Sequence, residues 1–378
     1  MNYFAFIDKY GKVSYKDKKE TEIDILLFSQ LAYLPMDNID FKNNQKYTLE
    51  EIATNIDRSV FLESLIAQRN ALKLLDTIKD LPRFKEIKVT DYSYIMDENS
   101  QFGAVTFILP NKKIVIAFQG TDNTIAGWKE DAILSYKYPT TSQELAGSYV
   151  EKIISKYKRS IIICGHSKGG NLALVGAMRT TLLKKLAIKE IYSFDGPGLR
   201  EKEFNSNQYK QVRKKLHNII PDESMVGVLF NQENLDVIKS DAKGIMQHAT
   251  TSWQVEDDRL VRTNKSALSD NLDKAIYDWL SNYDLEQRKL IIDEAFGLLE
   301  KSNIKRVSDI SDNYLRSFLE VLKATETLEN QTKVVIFNCL KLLSTTLSKT
   351  LINMELDSLK KKINNNILKE KIIGSIKK

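Results

Sequence analysis

The stretch "IIICGHSKGGNLALVGA", Ile161 to Ala177, holds the residues whose types and spacing most directly suggest chemistry. A β-branched apolar run enters Gly165-His166-Ser167-Lys168-Gly169 and leaves as an alanine- and leucine-rich segment of helical character. A serine on a strand-to-helix turn, with glycine two places before it and two places after, fits the geometry that pushes an Oγ outward as a nucleophile. Side chains at Gly165 and Gly169 would crowd so tight a turn, and Ser167 itself would sit in a strained backbone conformation. The same turn leaves the N–H of Lys168 at the helix start, where it can help hold an oxyanion. The chemistry implied is acyl transfer through a serine ester.

A serine hydroxyl needs a base, and the chain offers three histidines. His166 adjoins the serine but points away from it at such a turn, and reads as a packing or substrate-side residue. His217 closes a charged helical stretch and reads as a surface residue. His248, in "GIMQHATTSW", is left as the base, and it lies on the correct side of the serine for the chain order nucleophile, acid, base. The acid that fixes the histidine tautomer is expected between them. Asp222 in "NIIPDESMVG" stands at the later strand end and is favoured, with Glu223 beside it. Asp195 in "YSFDGPG" is the alternative, and an Asp-Gly-Pro-Gly turn can also use its carboxylate to cap backbone N–H groups.

A second oxyanion donor is expected from the loop after an earlier strand. "IVIAFQGTDN" supplies Gly120, which permits close backbone approach, and Thr121, which offers an N–H and a hydroxyl. Gly120, His166 and Trp128 are the expected substrate-side residues. The apolar residues from Trp128 to Tyr138 fit either an acyl-binding wall or ordinary core.

These groups need a scaffold, and the rhythm of the chain describes one. Residues 1–100 mix charged helical patterns with apolar clusters such as "EIDILLFSQLAYL" and read as a helical lead-in packed on the core. From 101 to 265 strands alternate with helices: "GAVTFILP" and "KKIVIAFQG" around a Pro110-Asn111 turn, then "SIIICG", "IKEIYSFDG" and "HNII", separated by helical segments. That alternation implies an α/β core, a mostly parallel sheet flanked by helices. From 266 to 378 the strand signal fades and apolar residues recur at three and four, a C-terminal helical region.

Composition removes several classes of function. The chain has 378 residues, 42% hydrophobic and 28% charged, so it is globular and long enough for one large domain or two smaller ones. Its net charge of +6 is spread among interleaved acids and bases without a basic stripe, which argues against nucleic-acid binding. Cys164 and Cys339 have no zinc-like spacing and imply no disulfide framework, so a reducing, cytoplasmic setting is expected, and no metal or cofactor is called for. The N-terminal stretch has no basic region followed by an apolar run and a cleavage site. The most apolar later run, Val334 to Met354, is broken by Asn338, Lys341 and Lys349 and reads as an amphipathic helix, not a transmembrane segment.

Together these residues resemble the α/β-hydrolase superfamily. "VIAFQGTDNTIAGWKEDA" is similar to the corresponding segment of class 3 lipases, with Gln119 where those enzymes usually have Arg. The wider set "EIDILLFSQLAYLP", "AFQGTD", "GHSKGGNLA", "FDGPG", "PDESMVG" and "QHATTSW" resembles the Mbeg1-like family of bacterial proteins. The resemblance implies a hydrolase core with Ser167 as nucleophile and His248 as base. It leaves the acid open, because it puts Ser224 where the lipases carry their catalytic Asp, so Asp222 or Asp195 must serve. The expected function is hydrolysis of an ester, such as an acyl lipid, through an acyl-enzyme. A thioesterase, amidase or peptidase with the same triad is the rival within enzymology. A non-catalytic hydrolase-like protein that meets a membrane surface or a protein partner through its C-terminal helices is the rival outside it.

Overall fold

Apolar, β-branched runs that can be buried on both faces form the centre of one eight-stranded sheet. In the computed structural model, which describes residues 1–61, 66–97, 100–121 and 124–300, its strands are β1 (Tyr47–Thr48), β2 (Lys88–Met96), β3 (Gln101–Ile108), β4 (Ile114–Phe118), β5 (Ile161–His166), β6 (Ile188–Phe194), β7 (Leu216–Pro221) and β8 (Leu235–Ile238). They lie side by side in chain order. The pairs from β1 to β4 are antiparallel, and those from β4 to β8 are parallel. A separate ribbon joins β9 (Val255–Glu256) to β10 (Arg259–Leu260).

The helices cover both faces. α1 (Tyr3–Tyr10), α2 (Glu22–Leu31), α3 (Leu49–Asn55) and α4 (Ile66–Ile78) share one core with Val115 and Ala117 of β4 and with Ile162 and Cys164 of β5. The alternate residues Ile114, Ile116, Phe118, Ile161 and Ile163 face a second core with α6 (Thr141–Tyr157) and α7 (Lys168–Arg179). This alternation is the period-two signature of a strand, and burial on both sides explains why β4 and β5 read as continuous apolar runs. The shorter α5 (Ile125–Ile133), α8 (Glu201–Phe204) and α9 (Asn207–Val212) complete the crossovers.

One difference from the sequence expectation concerns the first hundred residues. They are not wholly helical, since β1 and β2 add an antiparallel edge; "KVTDYSYIM" hides as a strand because Asp91 pairs with Lys156 across from α6 at 2.8 Å. α2 lies deep in the core, with every residue from Ile23 to Leu31 buried. Its buried Asp24 closes a capping box with Thr21 and receives two hydrogen bonds from the equally buried Arg83, at 2.7 and 2.6 Å.

The chain divides into two compact units, Met1–Ala275 and Ile276–Lys378. α10 (Ala267–Asn282) begins in the first unit, where Ser269 Oγ donates to Ser224 O at 2.9 Å. In the second, α11 (Leu285–Glu300) starts with a reciprocal cap in which Gln287 N donates to Asp284 Oδ1 and Asp284 N donates to Gln287 Oε1, each at 2.9 Å. The rest of the expected C-terminal helical region, with Cys339 and the segments after Thr332, lies outside the described residues. Among the described residues no helix is long and apolar enough to cross a membrane.

Candidate active site

Ser167 stands between β5 and α7 with φ 59° and ψ −133°, a left-handed conformation that costs a non-glycine residue energy and must be held by its surroundings. Two backbone bonds hold it: Ser167 N donates to Phe194 O at 2.9 Å, and Gly170 N donates to Ser167 O at 2.8 Å. The flanking glycines are needed for contact. A Cβ on Gly165 would lie 2.1 Å from the carbonyl of Gly169, and one on Gly169 would lie 2.2 Å from Phe118 O. The serine thus projects where β4, β5 and α7 approach too closely for any side chain at those two positions.

The acid beside His248 is Asp195, not Asp222. Asp195 follows the C-terminal end of β6, next to β5, is fully buried, and has a φ of 49°. Its Oδ2 meets His248 Nδ1 at 2.6 Å. Its Oδ1 accepts from Ser224 Oγ at 2.5 Å and from Gly227 N at 3.0 Å. A carboxylate oxygen only accepts, so His248 carries its proton on Nδ1 and keeps the Nε2 lone pair free. Asp222 is occupied elsewhere: its N donates to Ile238 O, its C=O accepts from Ser266 N, and its buried Oδ1 has no partner among the described residues. Asp222, the favoured residue from the sequence, does not reach His248, because the loop after β7 folds so that Ser224 and Gly227, not Asp222, reach the histidine's neighbourhood. Ser224, which takes the place of the lipase acid in the sequence resemblance, donates to the carboxylate that faces His248.

His248 closes a short 3₁₀ turn, Gly244–His248, tied down on two sides. Gln247 O accepts from the buried Trp253 Nε1 at 2.6 Å, and Gln247 Oε1 accepts from Glu223 N at 2.8 Å. His166 holds the turn to the elbow. Its Nε2 lies 2.9 Å from His248 O and its Nδ1 lies 2.9 Å from Tyr33 Oη, just beyond α2. The carbonyl can only accept, so the proton of a neutral His166 sits on Nε2 and Tyr33 donates to Nδ1. Burial, with the nearby His248, pushes His166 down to about 3, so it is neutral at physiological pH. His166 therefore tethers the His248 turn from its own buried position, a contact hidden in the sequence because its partners are 133 and 82 residues away. The two histidine rings are 4.5 Å apart. Ser167 Oγ and His248 Nε2 have no hydrogen-bond partner among the described residues. His217, read as a surface residue, is exposed and stacks on Tyr192 at 4.4 Å.

The loop after β4 comes against the serine. A Cβ on Gly120 would fall 3.1 Å from Ser167 Cβ and 2.6 Å from His166 O, so only glycine lets this backbone pass. Thr121 is buried, and its Oγ1 donates to Asp131 Oδ2 at 2.5 Å. Burial, reinforced by Glu130, pushes the Asp131 carboxyl up to about 6 against the opposing pull of Lys168 and Thr121. Trp128 lies on α5 one turn before Asp131, and its buried Nε1 has no partner among the described residues.

As the first residue of α7, Lys168 has an N–H with no acceptor inside the helix. Its side chain fixes that position from below: Nζ donates to Gln101 O at 2.7 Å, Gln101 Oε1 at 2.8 Å and Glu130 Oε2 at 3.2 Å, with both charges buried. Burial alone would raise the Glu130 carboxyl, but Lys168 and the hydrogen bonds from Ser142 and Gln101 N hold it below its usual range. Among the described residues no cluster of His, Cys, Asp and Glu could hold a metal ion.

Several solved lipase structures are similar to the chain at low identity. The crystal structure of M37 lipase is 16% identical, covering 68% of this chain and 80% of its own, with a TM-score of 0.38. A Rhizomucor miehei lipase propeptide complex in its native form is 15% identical, covering 59% of this chain and 70% of its own, with a TM-score of 0.35. A deletion mutant of that complex is 14% identical at the same TM-score, covering 59% and 69%. No curated protein matches the chain. The elbow at the end of a central parallel strand, with helices on both faces, is the arrangement of an α/β-hydrolase fold. The Mbeg1-like profile matches residues 78–297, from the end of α4 through β2–β8 into α11, and over that majority of its length the chain belongs to the Mbeg1-like family.

Proposed function

We propose that the protein is a serine hydrolase that cleaves a carboxylic ester through an acyl-enzyme on Ser167. The observation that carries this reading is the 2.6 Å pair of His248 Nδ1 with the buried Asp195, held beside an elbow serine. In the first half-reaction His248 Nε2 takes the proton of Ser167 Oγ as Oγ bonds to the ester carbonyl carbon. The N–H groups of Lys168 and Thr121 stabilise the developing oxyanion. His248 then gives that proton to the departing alkoxide, and the alcohol leaves. Water, deprotonated by the same Nε2, attacks the acyl carbon, and its proton returns to Ser167 Oγ as the carboxylic acid departs. Asp195 stays ionised throughout and stabilises the imidazolium. The steps draw on side chains, backbone N–H groups and water. The substrate is an acyl ester, lipid or smaller, reaching the site past Gly120 and Trp128.

A fluorophosphonate probe tests this directly, because it phosphonylates only an activated serine. Wild-type protein should label at Ser167, located by peptide mass, and Ser167→Ala and His248→Ala should not. A folded wild-type protein that stays unlabelled and turns over no ester would overturn the reading and leave a hydrolase-like scaffold without catalysis.

A further inference from the structure

The corner at which α7 hands over to β6 carries chemistry that the Ser167 site does not use. "TTLLKKLAIK", Thr180 to Lys189, forms a 3₁₀ turn at Lys184–Ala187 whose leucines face solvent: Leu182 is 64% exposed, Leu183 81% and Leu186 69%. Residues three apart eclipse on such a turn, so Leu183 and Leu186 share one side. Grouped exposed leucines of this kind mark an interaction site more often than an ordinary surface.

Both flanks are basic. On one side is a cleft of about 590 Å³ whose walls include Arg179, Lys185, Arg200 and Lys202. Its single carboxylate, Glu203, is already gripped by Arg200 at 2.9 and 3.0 Å. Lys185 is buried there, its ammonium bonded to the neutral Gln211 Oε1 at 2.6 Å, with Lys215 close by. On the other side a cleft of about 490 Å³ is lined by Lys158, Arg159, Lys184 and Lys189 and by no acid. Lys184 reaches Glu151, whereas Lys158, Arg159 and Lys189 have no carboxylate partner among the described residues. Cations without carboxylate partners are thus grouped beside three exposed leucines.

We propose that this corner is a peripheral docking site for an anionic lipid surface, in which Leu182, Leu183 and Leu186 enter the acyl boundary and the flanking cations meet headgroup phosphates. Leu183 and Leu186 line the second cleft together with Lys158, Arg159 and Lys189 and are still largely exposed, so apolar side chains and cations without carboxylate partners are presented side by side, as an anionic lipid boundary requires. A folded protein partner would need a matching socket. Apolar insertion and attraction to anionic headgroups act together in such contacts, and either alone is weak. The site is separate from Ser167: it precedes the N-terminal end of β6, whereas the elbow and Asp195 lie at the C-terminal ends of β5 and β6, about 20 Å away along seven strand residues.

The test is cosedimentation of the full-length protein with vesicles of phosphatidylcholine alone and of phosphatidylcholine mixed with phosphatidylglycerol. Wild type should bind the mixed vesicles and not the neutral ones, and binding should weaken with salt. Leu183→Ser/Leu186→Ser, which keeps every charge, should weaken binding about tenfold or more, as should Arg159→Glu/Lys189→Glu. Melting temperature and fluorophosphonate labelling should stay as in wild type. No binding to mixed vesicles would overturn the proposal. So would a leucine variant that binds as wild type does, since the net charge alone would then explain the attraction. If the leucine variant instead changes only the oligomeric state, the corner joins two copies of the chain and the lipid proposal fails.

Discussion

Replacing Asp195 with Asn distinguishes the two acids, and the structure fixes what the amide must do. Oδ1 receives a backbone N–H from Gly227 and the hydroxyl of Ser224. The Gly227 N–H cannot turn into an acceptor, so the amide oxygen takes that position and the NH₂ faces His248 Nδ1. Nδ1 must then accept, the ring proton moves to Nε2, and the nitrogen meant to take the serine's proton already carries one. Geometry is nearly preserved while the base is lost. The same substitution in a related triad lowers kcat about 10⁴-fold through the wrong tautomer, equivalent to about 5.5 kcal/mol of barrier. Asp222→Asn should leave turnover within about threefold, because Asp222 Oδ1 has no donor to lose. The assay is hydrolysis of a chromogenic short-chain ester, with the fluorophosphonate labelling rate and the melting temperature measured in parallel. The assignment is refuted if Asp195→Asn keeps activity within about tenfold of wild type, or if Asp222→Asn loses activity without losing stability.

Two further substitutions address the buried charges beneath the proposed oxyanion donors. Lys168→Met strands the buried Glu130 charge and should cost about 3–5 kcal/mol in urea denaturation, with Lys168→Met/Glu130→Gln recovering part of it; equal stability of the single and double variants would contradict a buried ion pair. The Asp131 carboxyl, pushed up to about 6 from an unfolded value near 3.8, binds its proton more tightly in the folded state. Its contribution to stability is therefore full below about pH 4 and is lost as the pH rises through about 6. Thermal melts should show wild type losing stability relative to Asp131→Asn across that interval, and a difference independent of pH would refute the assignment.

The elbow was legible because its determinants are local: Gly165, Ser167 and Gly169 sit within five residues, and the strand and helix that flank them each announce their period. The parallel strands were legible for the same reason, since β4, β5, β6 and β7 are apolar runs between helical spacings. The partner of His248 was not. Chain order permits both Asp195 and Asp222, and the path of the loop after β7, which brings Ser224 and Gly227 onto Asp195 Oδ1, leaves Asp195 against the histidine. The tether of His166 was equally hidden, since its two partners come from either side of the sequence. β2 was missed because Thr90, Asp91 and Ser93 break its apolar pattern, and Thr90 and Asp91 are satisfied only once α6 supplies Lys156 and Tyr157.

The proposed assignment of Asp195 as the acid also explains the residue at Ser224. An acid carried after β6 lies one strand nearer the nucleophile than one carried after β7, so its carboxylate must be turned to reach a histidine arriving from the far loop. The left-handed φ of Asp195 makes that turn, and it needs holding. Ser224 and Gly227 hold it from the β7 loop, the second only because it is a glycine: a Cβ there would fall 2.4 Å from Asp195 Oδ1. A carboxylate at Ser224 would instead bring a second negative charge against the buried Asp195, where two like charges cannot both remain ionised. A hydroxyl at this position therefore follows from an acid at Asp195: it supplies the proton that the carboxylate oxygen accepts and leaves the other oxygen to His248.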